Sequence, residues 1–147
     1  MIQIRQAKEG DASGAINTIR QSIAELCVLD HQNDPTKING WLGNKTVESW
    51  HKWIVRDDAI VLVAERDRKI IGVGMAAFSG DILLNYVHPV ARFCGVSKAV
   101  LAGLEEVLRS RSVQYCRVKS TITARLLYET CGFRPEGGDA LSLSKFL

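Results

Sequence analysis

The sequence predicts a mixed α/β domain: a twisted, largely antiparallel sheet of six to seven strands with about four helices on its faces. Short apolar runs of strand length outnumber segments with the helical period of 3.6. Several of these runs are separated only by turn residues, which joins neighbours as hairpins. The 147 residues, 46% of them hydrophobic, suffice for a core without disulfide or metal staples. No repeat, low-complexity stretch or linker divides the chain, so residues 1–147 read as a single domain.

Each element has its own signal. Ile2 and Ile4 alternate with polar residues as an opening strand. Asp11 is placed to cap a helix whose apolar positions Ala15, Ile16, Ile19, Ile23 and Leu26 follow the helical period. Residues 30–36 are polar, contain Pro35 and read as a loop, and residues 38–42 supply one or two helical turns. Thr46 is the expected N-cap of a helix carrying Val47, Trp50, Trp53 and Ile54. The apolar runs 60–64 and 70–78 flank a charged turn and form a hairpin, and Ser79 and Gly80 turn the chain into a strand over 81–88. Pro89 ends that strand because it has no N–H and forces His88 to be extended. Val96, Val100, Leu104, Val107 and Leu108 mark an amphipathic helix. A strand over 113–118, a short helix over 124–131 and a last strand containing 141–143 complete the order.

Composition excludes several classes. Nineteen basic against sixteen acidic residues give a net charge of +3, and the cations are interspersed with acids, so nucleic acid is not an expected partner. The basic clusters 66–69 and 109–111 read as solvated turns. No uncharged apolar run reaches the length of a membrane span, and residues 1–11 lack a signal-peptide core, which points to the cytoplasm. Cys27, Cys94, Cys116 and Cys131 form no C-x-x-C pair and have no histidine grouping, so they read as reduced thiols and no metal is expected.

Residues 72–77 spell the G-x-G-x-x-[GA] dinucleotide pattern, but a turn and another strand follow where that motif requires a helix. Glycines within a strand more often mark close approach of a neighbour. The segment from Val87 to Leu101 carries more chemistry. It runs from a strand end through a loop holding Arg92 and Gly95 into the amphipathic helix. Unpaired amides and the helix dipole favour an anion there, Gly95 admits it closely, Ser97 adds a hydroxyl, and Arg92 and Lys98 add positive charge. On these grounds alone a phosphate cradle and a plain strand-to-helix turn both remain open.

This segment resembles the acetyl-CoA signature of the GNAT N-acetyltransferase superfamily, a V-x-P strand end followed by [QR]-x-x-G-x-[GA], with Arg92, Gly95 and Ser97 at the signature positions. Ser97 stands where Gly or Ala is usual. Downstream, residues 124–133 resemble the family's A-x-x-x-Y-E-x-x-G-F, with Thr121 in place of a common Asn. The resemblance spans almost the whole chain, its specific letters lying between Asp81 and Phe133. It implies an acetyltransferase that moves an acetyl group from acetyl-CoA to a primary amine by direct attack in a ternary complex, with no metal. Tyr86, Val87, Arg92, Phe93, Cys94, Gly95, Val96, Ser97, Lys98, Thr121 and Tyr128 would bind the cofactor, the Val87 N–H would polarise the thioester carbonyl, and Tyr128 would protonate the departing thiolate.

The resemblance places a base at Asp81, where some relatives carry Glu, although an aspartate after Ser79 and Gly80 also fits a plain turn; other relatives place Glu on the next strand, where this chain has Cys116, and water chains to backbone carbonyls are a further route. On a period-two strand, Asp81, Leu83, Asn85 and Val87 share one face, which would set an acid and an amide in the same groove. Acceptor specificity in this family comes from the first helix and the loop after it, which here offer Glu25, Asp30, His31 and Asp34 for a cationic amine. His31 could also act as base. Neither Cys94 nor Cys131 has an evident activating histidine, so an acyl-cysteine route is not expected. The expected partner is a small-molecule or peptide amine, and a homodimer is allowed. The alternative is a non-catalytic acyl-CoA-binding or protein-interaction module on the same fold.

Overall fold

A computed structural model describes residues 1–147. Seven strands form one sheet, β1 (Gln3–Gln6), β2 (Ala59–Arg66), β3 (Lys69–Ala77), β4 (Asp81–Val87), β5 (Tyr115–Lys119), β6 (Arg134–Glu136) and β7 (Asp139–Phe146), in the order β1-β2-β3-β4-β5-β7-β6. All neighbours pair antiparallel except β4 and β5, which are parallel. Six helices accompany it: α1 (Ala12–Leu26), α2 (Val28–His31), α3 (Pro35–Leu42), α4 (Val47–Ile54), α5 (Val96–Ser110) and α6 (Arg125–Thr130). The mixed, mostly antiparallel architecture is the expected one.

The sheet separates two cores. On one face Val96, Val100, Leu101, Leu104 and Leu108 of α5 pack with Tyr128, Phe133 and Leu143. On the other, Ala15, Ile16, Ile19 and Ile23 of α1 pack with Trp50 of α4 and with Val63, Val73 and Met75. The glycine pattern in β3 belongs to this packing. A Cβ on Gly74 would lie 2.3 Å from a Val100 methyl and one on Gly72 2.6 Å from a Val96 methyl, so these glycines let α5 lie close against the sheet.

Four local expectations are corrected. Asp11 does not cap α1: its carboxylate accepts from Arg5 at 2.8 and 2.9 Å and from the Lys8 amide at 2.8 Å. Residues 30–36 are not all loop, because Asp34 accepts from the Thr36 amide and sets Pro35 at the first turn of α3, the position that tolerates a missing N–H. The edge strand β6, every residue of it exposed, has no apolar alternation to announce it. Arg109 lies in the last turn of α5 rather than in a turn, and the Arg111 guanidinium covers the Phe78 ring at 3.6 Å.

A fifth correction positions the site. Across β3 and β4, Met75 faces Leu84 but Ala76 faces Ile82, so Leu83 is an extra residue on β4. Such a bulge reverses the side-chain alternation. Ile82 therefore joins the α5-side core while Leu84 joins the α1-side core, and Asp81 does not share a face with Asn85 and Val87.

Candidate active site

β4 and β5 pair only through Asp81 with Arg117 and Ile82 with Val118 before they separate. A cavity of about 590 Å3 opens where they part. It is lined by Gly95, Val96, Ser97 and Lys98 of the α5 start and by Ser22, Leu26 and Cys27 at the end of α1. Those helices lie on opposite faces of the sheet, so the cavity passes through it. Asn85, Tyr86, Val87, Thr121 and Tyr128 line the middle.

The α5 end is built for an anion. Gly95 adopts a left-handed conformation (φ 79°), and a Cβ added to it would meet nothing within 4 Å, so the space before the helix is open. No backbone carbonyl accepts from the amides of Val96, Ser97 or Lys98, and the helix has no side-chain cap. Arg92 and Lys98 line the same region, and neither forms an ion pair. The Arg92 guanidinium lies 4.5 Å from the centre of the exposed Phe93 ring. Cys94 is exposed and is not part of the cavity wall; its thiol reaches the Arg92 carbonyl at 3.6 Å. These features leave an open, positively charged space at the start of α5.

Along β4 the ladder fixes where the amides point. The His88 amide donates to the Ile71 carbonyl at 2.8 Å, and Val87 lies opposite Gly72. Val87 and Gly72 are thus a non-hydrogen-bonded pair, and the Val87 N–H points away from β3 into the gap beside β5. Asn85, two residues earlier in the same register, turns its N–H the same way.

Tyr128, on α6, is 4% exposed and packs edge-on to Phe133 with ring centres 5.3 Å apart. Burial raises its phenol well above the ordinary range, and the Asn85 amide beside it draws it partly back. Asn85 itself is under-satisfied. Its NH2 reaches the Ser97 carbonyl at 3.5 Å, and its Oδ1 is buried with no partner. Tyr86 faces the α1 side, where its hydroxyl accepts from the Trp41 indole at 3.1 Å; burial pushes it up to about 12. Thr121 is spent on local structure, accepting from the Ala124 amide at 3.1 Å ahead of α6.

The acids expected to serve acceptor and base are elsewhere. Asp81 pairs with Arg117 at 3.3 Å and accepts from the Ser79 hydroxyl at 2.7 Å, outside the cavity wall. Glu25 is exposed and also outside it. Asp30 accepts from the Ile122 amide at 2.7 Å and from the Thr123 amide and hydroxyl at 3.1 and 2.6 Å, so it ties α2 to the segment before α6. His31 is 1% exposed, its Nε2 bonded to the Ile23 carbonyl at 2.8 Å and its Nδ1 accepting from the Asn33 amide at 3.0 Å. One neutral tautomer satisfies both nitrogens, so this histidine is structural. Asp34 is the cap of α3. Ser22 and Cys27 were missed from the sequence; both are small α1-side residues with no motif around them.

Residues 17–141 match the family model described as an acetyltransferase (GNAT) domain. No curated protein sequence matches. Among solved structures, a PaiA N-acetyltransferase from Thermoplasma acidophilum in complex with coenzyme A superposes with a TM-score of 0.85 at 21% identity, covering 100% of this chain and 99% of that one. A GCN5-related N-acetyltransferase from Rhodopseudomonas palustris gives 0.86 at 17% identity, over 99% and 95% of the two chains. A ribosomal-protein-alanine N-acetyltransferase from Brucella melitensis gives 0.68 at 24%, over 99% of each. No helix is long and apolar enough to cross a membrane. The matched family model spans most of the chain, and the fold superposes over nearly its whole length on solved acetyltransferases: the chain belongs to the GNAT acetyltransferase family.

Proposed function

We propose that this protein transfers an acetyl group from acetyl-CoA to a primary amine by direct attack in a ternary complex. One observation carries the reading: the uncapped amides of α5, the inward N–H of Val87 and the Tyr128 phenol line a single cavity that crosses the sheet. The amides of Val96, Ser97 and Lys98, with Arg92, hold the diphosphate. The Val87 N–H donates to the thioester oxygen and stabilises the charge that grows there. The amine lone pair forms the N–C bond as the C–S bond breaks. The surplus proton on nitrogen leaves to water, and sulfur takes a proton or hydrogen bond from Tyr128, which solvent restores. Burial keeps Tyr128 protonated and therefore a donor, while the Asn85 NH2 supports the charge left when the proton moves.

The chain's cysteines do not suit an acyl-enzyme route: Cys94 and Cys131 are outside the cavity wall, and burial pushes Cys27 up to about 12. The test is release of free CoA thiol across a panel of amines, beside acetyl-CoA binding by calorimetry. Tyr128→Phe should lower kcat by roughly 100-fold or more, in the range typical of a lost general acid, with acetyl-CoA affinity unchanged. Binding without thiol release from any amine would instead support an acyl-CoA-binding module.

A further inference from the structure

The cavity wall contains no Asp, Glu or His, and that decides which amines suit it. The inference rests on the acetyl-transfer reading and narrows its acceptor. Six ionisable side chains face the cavity: Arg92, Lys98, Lys119, Cys27, Tyr86 and Tyr128. The first two are cations at the diphosphate end. Lys119 is bound to Asp139 at 2.6 Å. The other three are neutral at physiological pH, because burial raises each of them. The neighbouring carboxylates are committed elsewhere, Asp30 to the Ile122 and Thr123 amides and Asp81 to Arg117.

An ammonium entering this space would shed its hydration with no carboxylate on the wall to meet it, Asp30 lying behind the wall with its oxygens held by the Ile122 and Thr123 amides, and no group on the wall could take its proton near neutral pH. A neutral amine faces neither obstacle. The wall also carries Leu26, Leu83 and Leu127, while Leu29 and Ile122, on the two segments that Asp30 ties together, are 64% and 52% exposed. This suits an apolar substituent next to the amine.

We propose that the acceptor is a weakly basic amine, one that keeps an appreciable neutral fraction at neutral pH and is carried on an apolar body, and that polyamines and lysine side chains are poor substrates. Peptide α-amines and arylamines share this chemistry. An α-amine with pKa near 7.7–8.0 is neutral roughly 250 to 400 times more often at pH 7 than a lysine side chain near 10.4. The stronger nucleophilicity of the lysine amine offsets part of that ratio.

The test compares thiol release at pH 7 from matched apolar peptides, one with a free N-terminus and acetylated lysine, one blocked at the N-terminus with free lysine, beside an arylamine and spermidine. At least tenfold higher kcat/KM for a weakly basic amine is expected, with a basic limb that moves with the acceptor's own pKa; which of the peptide and the arylamine leads identifies the source. Equal or faster turnover of spermidine or the lysine peptide would overturn the proposal. So would a limb fixed at one pH across acceptors, since it would belong to an enzyme base. Absence of release from every amine, with acetyl-CoA still bound, would overturn the acetyl-transfer reading itself.

Discussion

Asn85 is the residue at which stability and activity should separate. Its Oδ1 is buried without a partner, and the hydrogen bond from its NH2 to the Ser97 carbonyl is 3.5 Å long. An unsatisfied buried acceptor costs about 1–3 kcal/mol. Asn85→Leu keeps the branching at Cγ and removes that acceptor. The lost bond is at the weak end of the usual ~0.5–1.5 kcal/mol, and the Ser97 carbonyl retains its place in the ladder of α5. A net gain of about 1 kcal/mol should follow, read as a Tm about 2–4 °C higher for a chain of this size. Turnover should move the other way, because the amide that supports Tyr128 is gone. Paired calorimetry and thiol-release assays measure both, and a kcat loss of roughly tenfold or more is expected beside unchanged acetyl-CoA affinity. A variant less stable than the parent, or one with unchanged kcat, would refute the reasoning that Asn85 is kept for Tyr128 at the expense of the fold.

Three further outcomes follow from the geometry. Gly95→Val forces a β-branched residue into a left-handed conformation and places its side chain in open space rather than against protein, so acetyl-CoA affinity by calorimetry should fall more than Tm does. Asp81→Asn should leave the pH profile of kcat/KM unchanged, because Asp81 is bound to Arg117 outside the cavity; a lost basic limb would reinstate it as the base. The hydrogen bond from Arg5 holds the Asp11 carboxyl below its ordinary value, so its contribution is present above the unfolded carboxyl's pKa and disappears as pH falls through the lower folded one. Asp11→Asn should accordingly lower Tm at pH 7, with the deficit shrinking below about pH 4; a deficit independent of pH would contradict that linkage.

Much of the cofactor side was legible because its chemistry is local in sequence. Val87, Pro89, Arg92, Gly95 and the periodic apolar residues of α5 lie within one stretch, and a strand end, a left-handed glycine and a helix start need no distant partner to be read. The acceptor side was not, because its residues are fixed by contacts far along the chain. Asp30 and His31 look like a free acid and a free base in a polar loop, yet Asp30 bonds to Ile122 and Thr123 some ninety residues away, and His31 folds back on Ile23. Burial of Ser22 and Cys27 in the wall likewise depends on which end of α1 meets the gap in the sheet. The Asp34-Pro35 pair was present as a helix start, but a proline between polar residues reads equally well as a loop.

The bulge at Leu83 explains why the cavity exists and why it lacks a carboxylate. Apart from Asn85, residues 82–87 are apolar or aromatic on both faces, so the run gives no sign that one residue is surplus to the ladder with β3. A bulge bends its strand and increases the local twist, and β4 stops pairing with β5 at Ile82, immediately before it. The separation that admits a ligand through the sheet therefore begins at the inserted residue. The same insertion reverses the alternation between Asp81 and Asn85, leaving the amide beside Tyr128 and sending the acid to Arg117. An uninterrupted strand would have placed Asp81 on the face of Asn85. Asp81 thus lies outside the cavity, and the acceptor must bring the lone pair that no residue of the wall can generate for it.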